Sequence, residues 1–404
     1  MQAAPFGLGG AVDLAVDLAA HLAVELAAVT FAGSADAQAL CPRLSPVPPS
    51  PLSLPLCFRI LCPVMPIPEN RLIDRIAHAA EAARPILRRS SATRVLRSIG
   101  DDCAVLSTAP GTETLVTTDF SLEGVHFRRQ WHPADSVGHR CLTRGLSDIA
   151  AMGGEPCAAF LSLALPADLP QRWADQFFDG LLNTAKSAGV TLAGGDLSES
   201  PAGVLADITV VGTVAEGRAI LRSTAQPGDR IFVSGELGAP YALLEQMYAA
   251  PERRFRASSY PAHFYPVAQL ALARFLADKR IPSAMIDISD GLSTDLARLC
   301  RASGAGALLQ ENAIPIASLN RHEVELRHAL HGGDEYQLLF TVPPGRRIPN
   351  EFKGLSLSLI GYITEGNEIS IEHDNGYITE LEPHGWQHFA PAKPTRAAKR
   401  AKRK

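Results

Sequence analysis

The stretch that decides the fold is AMIDISDGLSTDLARLCRASG, residues 284–304. Its first five residues are apolar apart from one aspartate, which is typical of a short buried strand. A turn, SDG, follows, and apolar residues then recur at helical spacing up to a closing glycine. A strand, a glycine turn and a helix in direct succession predict an α/β arrangement in which helices pack on a sheet.

The same alternation of strand and helix patterns occurs on both sides of a turn-rich joint at residues 215–230. We therefore expect two α/β domains, an N-terminal domain at residues 65–214 and a C-terminal domain at residues 215–390. Within the first domain, a strand at residues 114–118 is predicted to end at Asp119. A second strand, at residues 190–193, is predicted to end at the pair Gly194-Gly195.

The two ends of the chain differ from the rest. Residues 1–64 are rich in Ala, Leu and Val and then in Pro, and acidic residues interrupt the apolar part. No basic segment precedes that part, which argues against a signal peptide, and the acidic residues argue against a membrane span. We expect residues 1–64 to be a disordered extension or the product of a start codon assigned too far upstream. The basic residues 391–404 are expected to be a disordered tail.

Composition sets broad limits on function. The chain has 404 residues, of which 46% are hydrophobic and 20% charged, so it can bury a sizeable core. Its net charge of −4 gives no general reason to expect a membrane or nucleic acid as partner. Its seven cysteines include no Cys-x-x-Cys pair, which is typical of a reducing compartment. We expect a cytoplasmic protein.

Aspartates recur beside Gly, Ser or Thr where predicted strands begin or end. A single aspartate of this kind is explained by a turn or a helix cap, and Asp290 could cap the helix that follows it. Several of them together favour convergence on one strongly negative spot. The aspartates in question are Asp102, Asp119, Asp196, Asp287 and Asp290, with Asp148 inside the helix that ends in AAMGG.

Such a spot has a definite chemistry. A cluster of unpaired carboxylates is costly unless cations occupy it. Hard oxygen ligands without nearby His or Cys suit Mg²⁺ or Ca²⁺ and not zinc, and Mg²⁺ is commonly shared between carboxylates and substrate phosphates. The pattern therefore predicts a phosphorylated ligand.

The sequence contains neither a P-loop motif nor the glycine-rich loop of protein kinases. The turns AGGD and SDG instead offer backbone N–H groups that can hold an anion. Arg218 and Arg222, in GRAILRSTAQPGD, are candidates for a nucleotide phosphate clamp. Surface ion pairs would also explain both arginines.

Eight motifs in a fixed order carry a family resemblance. They closely resemble motifs of the thiamine-monophosphate kinase family, within the aminoimidazole ribonucleotide synthetase superfamily. The resemblance implies an α/β (α+β) two-domain fold and a homodimer in which strands of the N-terminal domains form a shared barrel. It also implies ATP-dependent phosphorylation of thiamine monophosphate to thiamine diphosphate, by direct in-line transfer at several Mg²⁺ ions without a phosphoenzyme. The motifs are SIGDDCAVL, VTTDFSLEGVHF, GLSDIAAMGGEP, AGGDLSES, GRAILRSTAQPGD, MIDISDGLSTDL, HGGDEYQLLF and GWQHFA.

The resemblance also implies roles for individual residues, and it implies no general base, because the acceptor phosphate is already ionised. The implied metal ligands are Asp102, Thr117, Thr118, Asp119, Asp148, Asp196, Asp287 and Asp290. The implied ATP contacts are Gly195, Asp196, Arg222 and Ser289. The implied contacts to thiamine monophosphate are His126, Asp334 and Trp386.

Two departures from the family pattern affect the site. The family usually has Gly-Gly-Glu-Asp-Tyr where this chain has GGDEY, which leaves open whether Asp334 or Glu335 reaches the substrate. An aromatic residue that could pack on adenine, usual beside the GGD strand, is absent from LLNTAKSAG.

Two other functions stay open at this point. One is a related ATP-using synthetase of the same superfamily with another acceptor. The other is a non-catalytic nucleotide-binding scaffold that kept the fold.

Overall fold

The computed structural model describes residues 69–84, 93–99, 103–319 and 323–387. The predicted extension, the predicted tail and Asp102 lie outside these residues. The helices are α1 Glu69–Ala83, α2 Ala134–Ala151, α3 Gln171–Ala188, α4 Ala239–Ala249, α5 Pro261–Phe264, α6 Leu270–Asp278, α7 Leu292–Ser303 and α8 Leu326–His331.

The strands fall into three groups along the chain. A short pair, β1 Arg94–Arg97 and β2 Val105–Ser107, comes first. The strands of the N-terminal sheet are β3 Thr112–Leu122, β4 Glu155–Pro166, β5 Thr191–Ser200 and β6 Leu205–Ala215. The strands of the C-terminal sheet are β7 Arg230–Ser234, β8 Ala284–Ile288, β9 Gly306–Gln310, β10 Gln337–Val342, β11 Glu351–Phe352, β12 Leu355–Thr364, β13 Ile369–Glu372 and β14 Ile378–Glu380.

The N-terminal sheet has the strand order β3-β6-β4-β5. Its pairs are antiparallel except for β4 and β5, which run parallel. Helices α2 and α3 cover one face, where Leu146, Phe177 and Ile208 belong to one buried cluster. Because side chains alternate along a strand, every second residue of β3 faces these helices and the others face away.

Helices α2 and α3 approach each other closely because glycines stand at their contact. A Cβ atom on Gly138 would lie 1.9 Å from the carbonyl oxygen of Phe177, and one on Gly180 would lie 1.9 Å from that of Asp135. No side chain fits between the two backbones at these points. The glycines therefore set the short distance between the backbones of α2 and α3.

The C-terminal sheet has the order β14-β13-β9-β12-β7-β10-β8, with β11 paired to β12. Helix α7 packs on one face, where Leu296 and Ile286 are buried together. Helix α6 packs on the other face, and the end of α2 joins it there, since Ala150 and Ala151 share a buried cluster with Met285. Helix α2 thus contacts both sheets of the molecule.

The predicted helices and most predicted strands are confirmed, but two strand ends were wrong. Strand β3 continues past Asp119 because it pairs with β6 along its whole length, so Asp119 faces Ile208 inside the ladder. Strand β5 continues past Gly194-Gly195 because both glycines stay paired with β4, directly after a register shift that leaves Ala193 unpaired. Gly195 has φ +148°, and a Cβ atom there would lie 1.9 Å from the carbonyl oxygen of Leu161. Only glycine fits this close approach of the two strands.

Two further expectations concern larger features. The mixed α/β two-domain fold is confirmed. Within the described chain the N-terminal sheet is open, with β3 and β5 at its edges, and it does not close into a barrel. Among the described residues, no helix combines the length and the apolar character that a membrane crossing requires.

Candidate functional site

Three of the predicted carboxylates, Asp119, Asp148 and Asp287, come together where α2 lies between the two sheets. Thr117, on β3, donates a hydrogen bond from Oγ1 to Asp148 Oδ2 at 2.5 Å. The neighbouring Ser147 donates from Oγ to Asp287 Oδ2, on β8, at 2.7 Å. One turn of α2 thereby connects a strand of the N-terminal sheet to a strand of the C-terminal sheet. This turn is the centre of the candidate site.

The carboxylates at this centre disfavour one another's charge. Burial raises the pKa of Asp148. Burial, with the charges of Asp148 and Asp295, raises the pKa of Asp287 to about 8. Burial raises the pKa of Asp119 to about 6, against the lowering effect of Arg144. Ionised carboxylates this close together need additional positive charge.

Arg222 supplies part of that charge. The side chain is exposed, and its guanidinium acts to lower the pKa of both Asp148 and Asp287. The structure therefore brings the predicted nucleotide-binding arginine to the same carboxylates.

The donor atoms at this centre fit a hard cation. They are carboxylate and hydroxyl oxygens, which Mg²⁺ prefers. Within residues 69–84, 93–99, 103–319 and 323–387, no three His, Cys, Asp or Glu side chains lie close enough to hold one ion. The arrangement suits ions that each take one or two protein oxygens and complete their shell with water and phosphate oxygens.

The SDG turn after β8 is held by a residue that the sequence analysis did not select. Asp295 Oδ2 accepts backbone N–H groups from Ser289, Asp290 and Gly291 at 3.0, 3.0 and 3.1 Å. Its other oxygen accepts Arg298 Nη1 at 2.7 Å, and Arg298 Nη2 lies 2.6 Å from Asp290 Oδ2. Asp290 is therefore ion-paired and does not cap α7.

The acidic pair of GGDEY divides into one carboxylate inside the site and one outside it. Glu335 is buried and accepts the backbone N–H of Gly238 at 2.6 Å, and burial raises its pKa well above the usual value. Asp334 lies beside the SDG turn in space, because its N–H donates to Ser289 O at 2.8 Å. The geometry favours Asp334 as the residue that faces the site.

Asp334 is bound by two arginines of α2 and by a tyrosine. Arg140 Nη2 lies 2.7 Å from Asp334 Oδ2, and Arg144 Nη2 lies 3.0 Å from Asp334 Oδ1. Tyr336 donates its hydroxyl to Asp334 Oδ1 at 2.6 Å. Burial alone would raise the pKa of Asp334, but Arg140, Arg144 and Tyr336 outweigh it and hold that pKa well below the usual range.

Two predicted metal ligands lie on the other face of the N-terminal sheet. Thr118 is exposed and donates from Oγ1 to Asp207 Oδ1 at 2.7 Å. Asp196 is in register with Ser162, which is in turn in register with Asp207. The structure does not bring these side chains into the cluster around Asp148, and their metal roles stay predictions.

Two predicted substrate contacts lie at the margins of the site. The backbone N–H of Trp386 donates to Asp290 O at 3.0 Å, and its side chain is half exposed. His126 follows the end of β3, and its Nδ1 accepts the N–H of Leu122 at 2.9 Å. Trp386 thus borders the SDG turn, whereas the hydrogen bond of His126 is local.

A cavity of about 580 Å³ lies along the free edge of β5, beside Gly195 and Asp196. Phe160 and Phe178 contribute aromatic rings to its wall, from β4 and α3. LLNTAKSAG itself has no aromatic residue. At the cavity, Phe178 comes from the same helix, three residues before that segment, and Phe160 comes from β4. The remaining apolar lining includes Ile73, Ile76 and Leu192.

Five residues that organise the site were not predicted from the sequence. Three of them, Arg140, Arg144 and Ser147, share α2 with Asp148. Four-residue spacing from Arg140 through Arg144 to Asp148 was a signal for the two arginines, whereas nothing in the sequence marks Ser147. The other two follow the SDG motif on α7. The missed residues are Arg140, Arg144, Ser147, Asp295 and Arg298.

Two family models match the chain. The model of the AIR synthase related protein N-terminal domain matches residues 100–214, and that of the C-terminal domain matches residues 226–374. The thiamine-monophosphate kinase of Synechococcus elongatus is 34% identical over 302 residues, which cover 72% of this chain and 91% of that protein.

Solved structures agree with these matches. A thiamine-monophosphate kinase from Stenotrophomonas maltophilia K279a has a TM-score of 0.65 at 30% identity, over 76% of this chain and 96% of that one. The structure of AaThiL complexed with AMPPCP and TMP has a TM-score of 0.62 at 30% identity, over 80% of this chain and 97% of that one. The chain therefore belongs to the thiamine-monophosphate kinase family of AIR synthase related proteins.

Proposed function

We propose that the protein transfers the γ-phosphoryl group of ATP to the phosphate of thiamine monophosphate and so forms thiamine diphosphate. The observation that carries this proposal is the carboxylate cluster that α2 forms with both sheets, through Thr117–Asp148 and Ser147–Asp287. Family membership supports it, as does a relative of 30% identity solved in complex with AMPPCP and TMP.

We propose that several Mg²⁺ ions bind this cluster. Asp119, Asp148 and Asp287, with Thr117, would hold them at the centre, and Asp290 would hold one at the SDG turn. Asp102, Thr118 and Asp196 remain proposed ligands from the family resemblance. When bound, such ions neutralise the phosphate charges and align the acceptor oxygen with the γ-phosphorus.

The residues of the chain divide between two substrates in this proposal. Gly195, Asp196, Arg222 and Ser289 would contact ATP. Arg222 is suited to this because its charge already acts on Asp148 and Asp287. His126, Asp334 and Trp386 would contact thiamine monophosphate, with Asp334 and not Glu335 as the carboxylate that faces it.

The proposed transfer is direct and in line, without a phosphoenzyme and without a general base. The acceptor oxygen belongs to a phosphate that is ionised at neutral pH, so no proton has to be removed. Positioning and electrostatic stabilisation then provide most of the rate enhancement. The buried side chains of α2 and β8 supply that positioning.

We further propose a homodimer in which the N-terminal sheets form a shared barrel. The face of the sheet away from α2 exposes apolar side chains, among them Val116 at 65% and Phe120 at 51% exposure. Apolar residues aligned on an open sheet favour a partner surface. A second copy of the chain offers the same face.

The proposed domain boundary lies between residues 214 and 215. Support comes from the strands, because the N-terminal sheet ends at Ala215 and the C-terminal sheet begins at Arg230. The proposed domains are residues 65–214 and 215–390. The cytoplasmic location stays a prediction from cysteine usage.

The direct test is an assay of the purified protein with ATP, Mg²⁺ and thiamine monophosphate. Thiamine diphosphate is followed by the fluorescence of its oxidised form, with parallel reactions that contain thiamine or EDTA. We expect product only with the monophosphate and Mg²⁺. Absence of product while ATP still binds would contradict the proposal. It would favour another acceptor of the superfamily or a non-catalytic scaffold.

A further inference from the structure

Arg144 joins two parts of the site that the proposed function assigns to different ligands. Its Nη1 lies 3.6 Å from Asp119 Oδ1, and its Nη2 lies 3.0 Å from Asp334 Oδ1. Asp119 belongs to the proposed metal subsite, and Asp334 to the proposed acceptor subsite. One guanidinium therefore bridges the two subsites.

The bridge lies in a protected environment. The side chain of Arg144 is only 11% exposed, and that of Arg140, one turn earlier on α2, is 4% exposed. Burying a guanidinium is costly unless carboxylates pair with it. Here two arginines, Arg140 and Arg144, are balanced by two carboxylates, Asp119 and Asp334, so the charges cancel only while Asp119 is available to Arg144.

A divalent cation at Asp119 would change this balance. The cation takes up the charge of that carboxylate and repels the guanidinium beside it. Asp334 is then the carboxylate that stays ion-paired with both arginines among the described residues, and the acceptor subsite acquires net positive charge. A phosphate monoester carries the negative charge that such a subsite attracts.

We propose that Arg144 is a positioning residue that couples occupancy of Asp119 by a divalent cation to binding of the phosphorylated acceptor beside Asp334. The inference rests on the proposed function for the identity of the acceptor. By linkage, the acceptor strengthens cation binding by the same factor by which the cation strengthens acceptor binding. An arginine suits this position because its planar fork reaches two carboxylates at once, which a lysine ammonium does not.

The test measures binding by calorimetry in the absence of ATP. Mg²⁺ is titrated into the wild-type protein and into Arg144→Gln, and thiamine monophosphate is then titrated with and without saturating Mg²⁺. Arg327→Gln is the matched control, because Arg327 also bridges two carboxylates, Glu245 at 2.6 Å and Glu325 at 2.9 Å, and lies outside the site.

We expect opposite shifts in Arg144→Gln. Mg²⁺ binds more tightly, by about threefold or more, because no guanidinium competes for Asp119. In the wild type, Mg²⁺ improves acceptor affinity by about fivefold or more, a usual size for such coupling, and in the variant this gain falls below about twofold. Arg327→Gln behaves as the wild type. A purely structural role of Arg144 would weaken both ligands together.

If Arg144→Gln does not fold, Arg144→Lys is the second variant, because it keeps the positive charge. We expect its Mg²⁺ affinity to stay near that of the wild type while the gain in acceptor affinity falls, because one ammonium cannot pair with both carboxylates. A wild-type gain preserved in either variant overturns the inference and leaves the proposed function standing. If the wild type binds no thiamine monophosphate, the proposed acceptor is wrong. Independently of that result, unchanged Mg²⁺ affinity in Arg144→Gln overturns the claim that Arg144 competes with the cation for Asp119.

Discussion

Asp148 is the residue on which the site depends most directly. It receives the hydroxyl of Thr117 at 2.5 Å and raises the pKa of Asp287. We expect Asp148→Asn to lower thiamine diphosphate formation by about a hundredfold or more, because the amide keeps the shape but loses the charge that binds a cation. The check is the turnover number at saturating Mg²⁺, with the melting temperature as control for folding. Near-normal turnover would contradict the metal site.

The raised pKa of Asp287 makes the stability of the metal-free protein depend on pH. Its pKa is raised to about 8 in the folded state from 3.8, so between pH 4 and 8 the folded protein binds more protons than the unfolded one. Stability therefore falls as the pH rises through that window. We expect the melting temperature in EDTA to decline less steeply for Asp287→Asn than for the wild type. Equal slopes would show that Asp287 is already ionised.

The two acids of GGDEY are expected to respond differently to neutralisation. Glu335→Gln keeps an oxygen that accepts the backbone N–H of Gly238, and it replaces a carboxyl group whose pKa burial already raises. We therefore expect KM and turnover to change by less than about threefold. Asp334→Asn removes the ion-pair partner of Arg140 and one of the two carboxylates paired with Arg144, together with the proposed substrate contact, and raises KM for thiamine monophosphate by about tenfold or more. Steady-state kinetics of both variants show which of the two acids contacts the substrate. A larger effect at Glu335 would reverse the assignment.

The sequence predicted the carboxylates of the site but not their partners. Asp119 and Asp287 stand out because each follows a strand-like run, and Asp148 stands out because it lies in the motif GLSDIAAMGGEP. Ser147 and Asp295 look like ordinary helix residues, and their roles depend on which strand lies opposite, which one sequence does not reveal. Asp196 shows the converse, because strand register places it on the other face of the sheet.

At the scale of elements, α2 is the part that brings the site together. It carries Arg140, Arg144, Ser147 and Asp148, and Gly138 lets it lie against α3. We expect Gly138→Ala to destabilise the protein by about 1–3 kcal/mol, because the added methyl meets the carbonyl of Phe177. Urea unfolding measures this.

Asn183→Ala, on an exposed position of α3, is the control for that experiment. We expect it to change the free energy of unfolding by less than about 0.5 kcal/mol. An equally small change in Gly138→Ala would mean that α2 can move away from α3 without cost.

Strand predictions succeeded where apolar runs were long and failed where backbone geometry decides the end. The long apolar run CAAFLSLALP, residues 157–166, covers β4 except for its first two residues. The end of β5 was placed at Gly194-Gly195, because glycine pairs usually mark a break. In the structure both glycines pair with β4 inside a longer strand, directly after a bulge at Ala193. A bulge depends on the register of the neighbouring strand, which local residue types do not specify.

At the scale of the whole molecule, the exposed face of the N-terminal sheet predicts self-association. We expect Val116→Lys and Phe120→Lys each to shift the protein from dimer to monomer, because burying an ammonium group in the shared barrel costs its hydration. Sedimentation velocity measures the mass. Tyr377→Lys, at a 72% exposed position of the C-terminal domain, is the control and should leave the mass unchanged.

An unchanged mass in both β3 variants would contradict the proposed dimer surface. The two-domain division itself followed from the sequence, since strand and helix patterns occur on both sides of residues 215–230. The order of the C-terminal sheet did not, because β12 and β13 were not predicted and β12 separates β7 from β9. Topology of this kind depends on contacts between distant segments.

The turn held by Asp295 also has a kinetic consequence. One buried oxygen accepts three consecutive amide hydrogens in a segment outside any helix or strand. Those hydrogens should exchange with deuterated solvent as slowly as those of the neighbouring strand, although turns usually exchange fast. Slow deuterium uptake at residues 289–291 without nucleotide would show that the turn already has this conformation before nucleotide binds.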